Sequence, residues 1–148
     1  MVRQAVILAG GMGRRLGALT ADTPKPLLNI GGRPFIEYLK DELTRHGIRR
    51  LILIVGPHFA AFNLAIRSAA WHDVDVELIA DQPAAGTAGA LRYAKHLLDP
   101  QFLIINGDTF FDINLLDPFL GDGTVKICLL YTSPSPRDAT LSRMPSSA

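Results

Sequence analysis

Ala5-Val-Ile-Leu-Ala-Gly-Gly-Met-Gly-Arg-Arg-Leu-Gly17 begins as an apolar run and breaks into glycine and arginine. Residues 5–8 are short and wholly apolar, and Gly10-Gly11 closes them, which is the signal of a buried strand. The loop that follows, 10–17, is rich in groups that suit phosphate. Glycine lacks a Cβ, so backbone N–H groups can approach phosphate oxygens closely. Arg15 can add a rigid fork of donors to the same oxygens. Taken alone, the loop is equally well a tight strand-to-helix turn.

Reading outward from this strand, apolar periods of two and of about 3.6 residues alternate along the chain. Ala21 to Pro26 holds two prolines and is extended or turning. Gly31-Gly32 makes a turn, and Pro34 suits the first turn of a helix. That helix carries Phe35, Ile36, Leu39 and Leu43 on one stripe, and Gly47 ends it after Arg45 and His46. Residues 51–55 form a second apolar strand and 58–70 a helix. Val74, Val76 and Leu78 alternate with Asp75 and Glu77, a third strand with one wetter face. Residues 87–98 form a helix, with Leu91, Ala94, Leu97 and Leu98 on its apolar side. Residues 102–105 form a fourth buried strand, and 125–127 begin a fifth.

Strand–helix alternation predicts an α/β fold, a Rossmann-like and mostly parallel sheet with helices on both faces and right-handed crossovers. Ligands of such sheets bind beyond the carboxyl ends of the strands. The loops after Leu8, Val55, Ile79 and Ile105 are therefore the places to look for chemistry.

Composition narrows the function classes. The chain has 148 residues, 48% of them apolar and a formal charge of only +1. It is long enough for one domain with a real core and has no basic stripe suited to nucleic acid. Arg49-Arg50 reads as a solvated edge before a strand. No run reaches the roughly 18 unbroken apolar residues of a membrane span. Residues 2–9 run straight into the glycine loop without a signal-peptide cleavage site. Cys128 is the single cysteine, which leaves no disulfide framework and no cysteine-based metal site. A cytoplasmic protein with no nucleic-acid or membrane partner is expected.

Two nucleotide-binding patterns fail on spacing. A dinucleotide fingerprint counted from Gly11 places Leu16 where the third glycine belongs, and Val55-Gly-Pro-His58 lacks the ribose-binding acid. A nicotinamide-dependent oxidoreductase is thereby disfavoured. No Gly-Lys-Ser/Thr follows the glycines, so the loop is not a Walker A motif. Pro24-Lys25-Pro26 is the second element of interest, because prolines on both sides hold the lysine as a placed positive charge. Asn106-Gly-Asp108 is the third, at the end of the fourth strand, although an aspartate there can serve simply to form a turn.

Taken in order, Gly10-Gly-Met-Gly-Arg-Arg-Leu16, Thr20 and Pro24-Lys-Pro-Leu-Leu28 resemble the signature of the sugar-1-phosphate nucleotidyltransferase family. Gly32-Arg-Pro-Phe-Ile-Glu-Tyr-Leu39, Gln82-Pro83, Gly86-Thr-Ala-Gly-Ala90 and Asn106-Gly-Asp-Thr-Phe-Phe-Asp112 continue it. The resemblance implies the nucleotide-diphospho-sugar transferase fold. It also implies transfer of a nucleoside monophosphate from a nucleoside triphosphate to a sugar 1-phosphate, with Mg²⁺ as cofactor. Within the family these runs are most similar to those of heptose-1-phosphate guanylyltransferases, which implies GTP with a heptose or mannose 1-phosphate and a place in cell-surface polysaccharide biosynthesis, while glucose-1-phosphate thymidylyltransferase and N-acetylmuramate-1-phosphate uridylyltransferase stay open. Some such enzymes are fused to a further domain, and a homo-oligomer is compatible with the family.

The family's roles transfer residue by residue. Leu8, Ala9, Gly10, Gly11 and Gly13 would line the nucleotide and cradle its triphosphate. Arg15 and Lys25 would stabilise charge on the α-phosphate and the departing pyrophosphate. Gln82, Gly86 and Thr87 would contact the base and nucleoside. Asp108 would bind Mg²⁺ as a hard oxygen ligand. Asp112 is better read as a helix cap before Leu115 than as a further acid. The chain departs from the pattern at Arg14, where many members carry threonine, a change expected to alter phosphate contacts slightly while leaving Arg15 in place. His46, His58, His72 and His96 fall outside the motifs and read as surface or packing residues. A catalytically silent, nucleotide-sensing subunit would be expected to lose Arg15, Lys25 or Asp108, and all three are present.

Residues 128–148 change character: Cys-Leu-Leu-Tyr-Thr-Ser-Pro-Ser-Pro-Arg-Asp138 and Ser142 to Ala148 resemble two parts of a translated sequencing-library adapter in one frame. A disordered tail is the blander reading. On the adapter reading, native sequence ends near Ile127, and residues 1–127 are the N-terminal part of a nucleotidyltransferase domain whose gene continues. Removing that stretch takes the formal charge from +1 to 0. Family members hold the sugar phosphate and a second acidic metal ligand in the later part of the chain.

Overall fold

The computed structural model describes residues 2–11, 23–69, 71–80 and 86–110. Its elements are β1 (Gln4–Leu8), β2 (Asn29–Ile30), β3 (Arg33–Pro34), α1 (Phe35–Arg45), β4 (Arg50–Ile54), α2 (Phe59–Ser68), β5 (Asp75–Ile79), α3 (Gly86–Ala94) and β6 (Leu103–Asn106). The four longer strands form one sheet in the order β5-β4-β1-β6, and every pairing is parallel. The fifth strand expected at 125–127 lies outside the described residues.

Period-two side chains divide the core in two. Ala5, Ile7, Leu51 and Leu53 face one way and pack with Ile36, Leu39 and Leu43 of α1 and Phe62 of α2. Val6, Ile52 and Ile54 face the other way and pack with Ala90 and Ala94 of α3. Helices therefore cover both faces, as the alternation predicts. The chain steps outward from β1 to β4 to β5 under α1 and α2. It then returns to β6, on the far side of β1, under α3. Reversing direction and face together preserves the hand of the crossovers.

The start of α1 is held by its local sequence. A 3₁₀ turn, Lys25–Leu27, leads into the β2–β3 hairpin, whose tight turn needs positive φ at Gly31 (60°) and Gly32 (96°). Pro34 caps α1, Glu37 lies in its first turn and Arg45 in its last, each the sign that the helix dipole favours. Gly47, at φ 85°, ends it. Near that end Glu42 is buried but its carboxylate is satisfied by Arg45, while the His46 ring Nδ1 lies 2.9 Å from the Glu42 backbone O. His46 is thus a packing residue, as expected. Lys40 bridges Asp41 and Asp73 and ties α1 to the approach of β5. Burial alone would push the Lys40 ammonium down, but hydrogen bonds to Asp73 and Asp41 outweigh it and raise its pKa, while Lys40 holds the Asp73 carboxyl below its usual range.

Two elements differ from expectation. The helix foreseen over 87–98 runs as α3 and then tightens into a 3₁₀ turn, Lys95–Leu97. The strand foreseen as buried, β6, has β1 as its one partner among the described residues, and Ile104 is 46% exposed. An apolar run signals burial on average, but what covers each of its side chains is settled by tertiary packing.

Gln4 escapes any sequence pattern. It is fully buried in β1, where Nε2 donates to Leu97 O (2.8 Å) and Oε1 accepts from Asp99 N (2.8 Å). This one amide thus closes the connection between α3 and β6. Gln4→Leu is expected to cost about 1–3 kcal/mol in chemical unfolding, because it strands two backbone groups in the interior. A loss below a few tenths of a kcal/mol would mean that water replaces the amide.

Candidate functional site

The sheet's carboxyl ends finish level, which brings the loops together. Leu8 pairs with Ile54 and with Asn106, and Ile54 pairs with Ile79. Backbone bonds continue the ladder one step further. Ala9 N donates to Ile54 O (2.8 Å), Val55 N to Ile79 O (2.9 Å) and Gly107 N to Leu8 O (2.9 Å). Strand order reverses between β1 and β6, and an open α/β sheet binds its ligand at such a switch point.

Close packing at Gly107 joins three segments there. A Cβ at Gly107 would stand 3.2 Å from Ala9 Cβ, Leu8 O and Pro26 Cγ alike. Pro24 and Pro26 are buried, and Leu27 N donates back to Pro24 O (2.8 Å). The lysine between them is consequently carried on a fixed backbone. Its Nζ lies 3.0 Å from Asp108 Oδ2, an ion pair that spans 83 positions of sequence. Both side chains keep solvent contact, at 35% exposure for Lys25 and 44% for Asp108. Thr109 Oγ1 reaches the other carboxylate oxygen at 3.3 Å. Gly11 has open space where a side chain would begin.

Six of the residues singled out from sequence therefore meet at one end of the sheet: Leu8, Ala9, Gly10, Gly11, Lys25 and Asp108. Gly86 and Thr87 open α3, whose backbone follows the end of β5 in the chain. Gly13, Arg15, Gln82 and Asp112 lie outside the described residues. Among the described residues no cluster of three or more His, Cys, Asp or Glu side chains is present. No described helix is long and apolar enough to cross a membrane.

The nucleotidyl transferase family model matches residues 4–119, from the start of β1 to beyond Asp108. The chain belongs to that family. This nucleotidyl transferase chain is 32% identical over 126 residues to a D-glycero-alpha-D-manno-heptose 1-phosphate guanylyltransferase of Campylobacter jejuni, covering 85% of the chain and 56% of that protein. An enzyme of the same description from Aneurinibacillus thermoaerophilus is 32% identical over 117 residues, covering 78% of the chain and 50% of that protein. Among solved structures, HddC from Yersinia pseudotuberculosis complexed with GMP-PN superposes with a TM-score of 0.72 at 30% identity, covering 80% of the chain and 53% of HddC. The chain thus spans about half the length of the relatives it matches. The nucleotide-diphospho-sugar transferase fold implied by the motifs is the fold of this nucleotidyl transferase chain.

One glycine of the site carried no motif. Gly56 follows β4 at φ 53°, and a Cβ there would stand 3.0 Å from Gly10 O. The only sequence signal was its place just after a buried strand.

Proposed function

We propose that residues 1–127 are the nucleotide-binding part of an enzyme that transfers a nucleoside monophosphate from a nucleoside triphosphate to a sugar 1-phosphate and releases pyrophosphate. The proposed substrates are GTP with a heptose or mannose 1-phosphate, and the proposed location is the cytoplasm. One observation carries the reading. An ammonium and a carboxylate are held 3.0 Å apart next to Pro26 and Gly107, which pack on Leu8 and Ala9 at the end of β1, at the switch point of a parallel sheet. Guanine as the base draws support from relatives described as guanylyltransferases and from the HddC complex with GMP-PN.

The chemistry follows from charge. An oxygen of the sugar phosphate attacks the α-phosphorus in line, and the bond from that phosphorus to the bridging oxygen of the β-phosphate breaks. The electron pair leaves with pyrophosphate. Lys25, together with Arg15, offsets the charge that gathers on the departing group. The Gly10 and Gly11 backbone holds the phosphates in place, so much of the acceleration comes from positioning. Asp108 fits Mg²⁺ as one hard oxygen ligand, being an exposed carboxylate beside the phosphate loop. Mg²⁺ takes one or two carboxylates and completes its shell with phosphates and water. When bound, the ion would supply further charge neutralisation to the phosphates.

The test is pyrophosphate release by the full-length gene product with Mg²⁺, across the nucleoside triphosphates and a panel of sugar 1-phosphates. GTP with a heptose or mannose 1-phosphate is expected to exceed every other pairing by at least about tenfold, the effect of about 1.4 kcal/mol in the barrier. No release with any pairing would overturn the reading. The 148-residue chain by itself is expected to bind nucleotide weakly and to turn over negligibly, since it spans about half the length of the relatives it matches.

A further inference from the structure

We propose that Gly56 is a positioning residue for the nucleotide, holding the Gly10 backbone at the height that the phosphates require. The inference rests on the phosphate-cradling role proposed above for Gly10 and Gly11. Gly56 is buried, two residues past the end of β4, the strand neighbouring β1. Its φ of 53° turns the chain into the 3₁₀ turn Gly56–His58 and on into α2. A Cβ at this position would lie 3.0 Å from Gly10 O, 3.1 Å from Gly10 Cα and 3.5 Å from Gly10 C.

All three neighbours are backbone atoms, so no rotamer change can relieve the contact. The residues before Gly10 cannot yield easily either. Ala9 N is bonded to Ile54 O at 2.8 Å, and Gly107 packs against Ala9 and Leu8. The displacement passes forward, to Gly10 and then to Gly11, where nothing stands within 4 Å of a Cβ position. A phosphate cradle made of N–H groups is sensitive to such a shift, because hydrogen bonds weaken steeply with distance and angle. The absence of a side chain at Gly56 therefore sets the position of a loop that lies 46 residues earlier in the chain.

Gly56→Ala in the full-length enzyme tests this. It is expected to raise KM for the nucleoside triphosphate at least about fivefold, given that misplacement by 1 Å can cost about 10²-fold. KM for the sugar 1-phosphate is expected to stay within about twofold of wild type, a split that general loss of stability would not produce. Two further variants separate contact from backbone strain. Gly47→Ala places alanine at φ 85°, where nothing stands within 4 Å, and is expected to keep the wild-type KM. Gly56→Asn tolerates positive φ but still carries a Cβ, and is expected to behave like Gly56→Ala. An unchanged nucleotide KM in Gly56→Ala, an equal rise in Gly47→Ala, or recovery in Gly56→Asn would each overturn the proposal. Absence of saturable nucleotide dependence in the wild type would overturn the nucleotidyltransferase reading and this inference with it. That failure is visible before any substitution is made.

Discussion

Lys25→Met is expected to lower kcat/KM of the full-length enzyme by about 10²–10³-fold, the usual consequence of deleting one group aimed at developing charge. Methionine retains the unbranched stem between the buried Pro24 and Pro26, so the 3₁₀ turn stays folded and only the charge is lost. Asp108→Asn is expected to fall in the same range, and part of its loss is expected to return at raised Mg²⁺ if the carboxylate is a metal ligand. The two groups touch at 3.0 Å, so their effects are not expected to add. The loss in the double variant should fall well below the product of the two single losses. Full additivity would mean that Lys25 and Asp108 act at separate places in the reaction. A loss below about fivefold in Lys25→Met would remove the lysine from the chemistry. The exposed ion pair itself contributes little to stability, at most about 1 kcal/mol. Chemical unfolding is expected to leave Lys25→Met near wild type, which separates a catalytic effect from a folding one.

The second large effect concerns stability. Phe62→Ala is expected to cost about 3–5 kcal/mol, because it empties a fully enclosed ring site. Phe62 is the one fully buried residue of α2, whose neighbours Phe59 and Leu64 are exposed. Its ring joins α2 to the face of the sheet already covered by Ile36, Leu39 and Leu43. Chemical unfolding measures the loss directly. A cost near 1 kcal/mol would mean that α2 holds the sheet through other contacts, such as Ile66.

The strands and helices around Phe62 and Lys25 were legible because their signals are local. Ala5 to Leu8 and Leu51 to Val55 announce strands by a continuous apolar run, and Phe35, Ile36, Leu39 and Leu43 announce a helix by spacing. The candidate site was legible for a related reason. Gly10-Gly11, Pro24-Lys-Pro26 and Asn106-Gly-Asp108 are each a short run whose composition limits the backbone or supplies charge. The exposure of Ile104 was not legible, since an apolar run does not say what covers each of its side chains. Gln4 was equally silent, because its amide acts through backbone atoms more than ninety positions away.

By itself the sequence determined the α/β class, the parallel sense of the sheet and the residue types available to its carboxyl ends. These follow from hydrophobic period and from the backbone limits of glycine and proline, which act over a few residues. Only the tertiary structure decided that β6 lies beside β1, that α1 and α2 share a face while α3 takes the other, and that Lys25 meets Asp108. It alone decided that Gly56 abuts Gly10. The physical reason is that the order of strands and the contacts across it come from burying two apolar faces at once. That choice sums over the whole chain and leaves no mark on any single stretch of it.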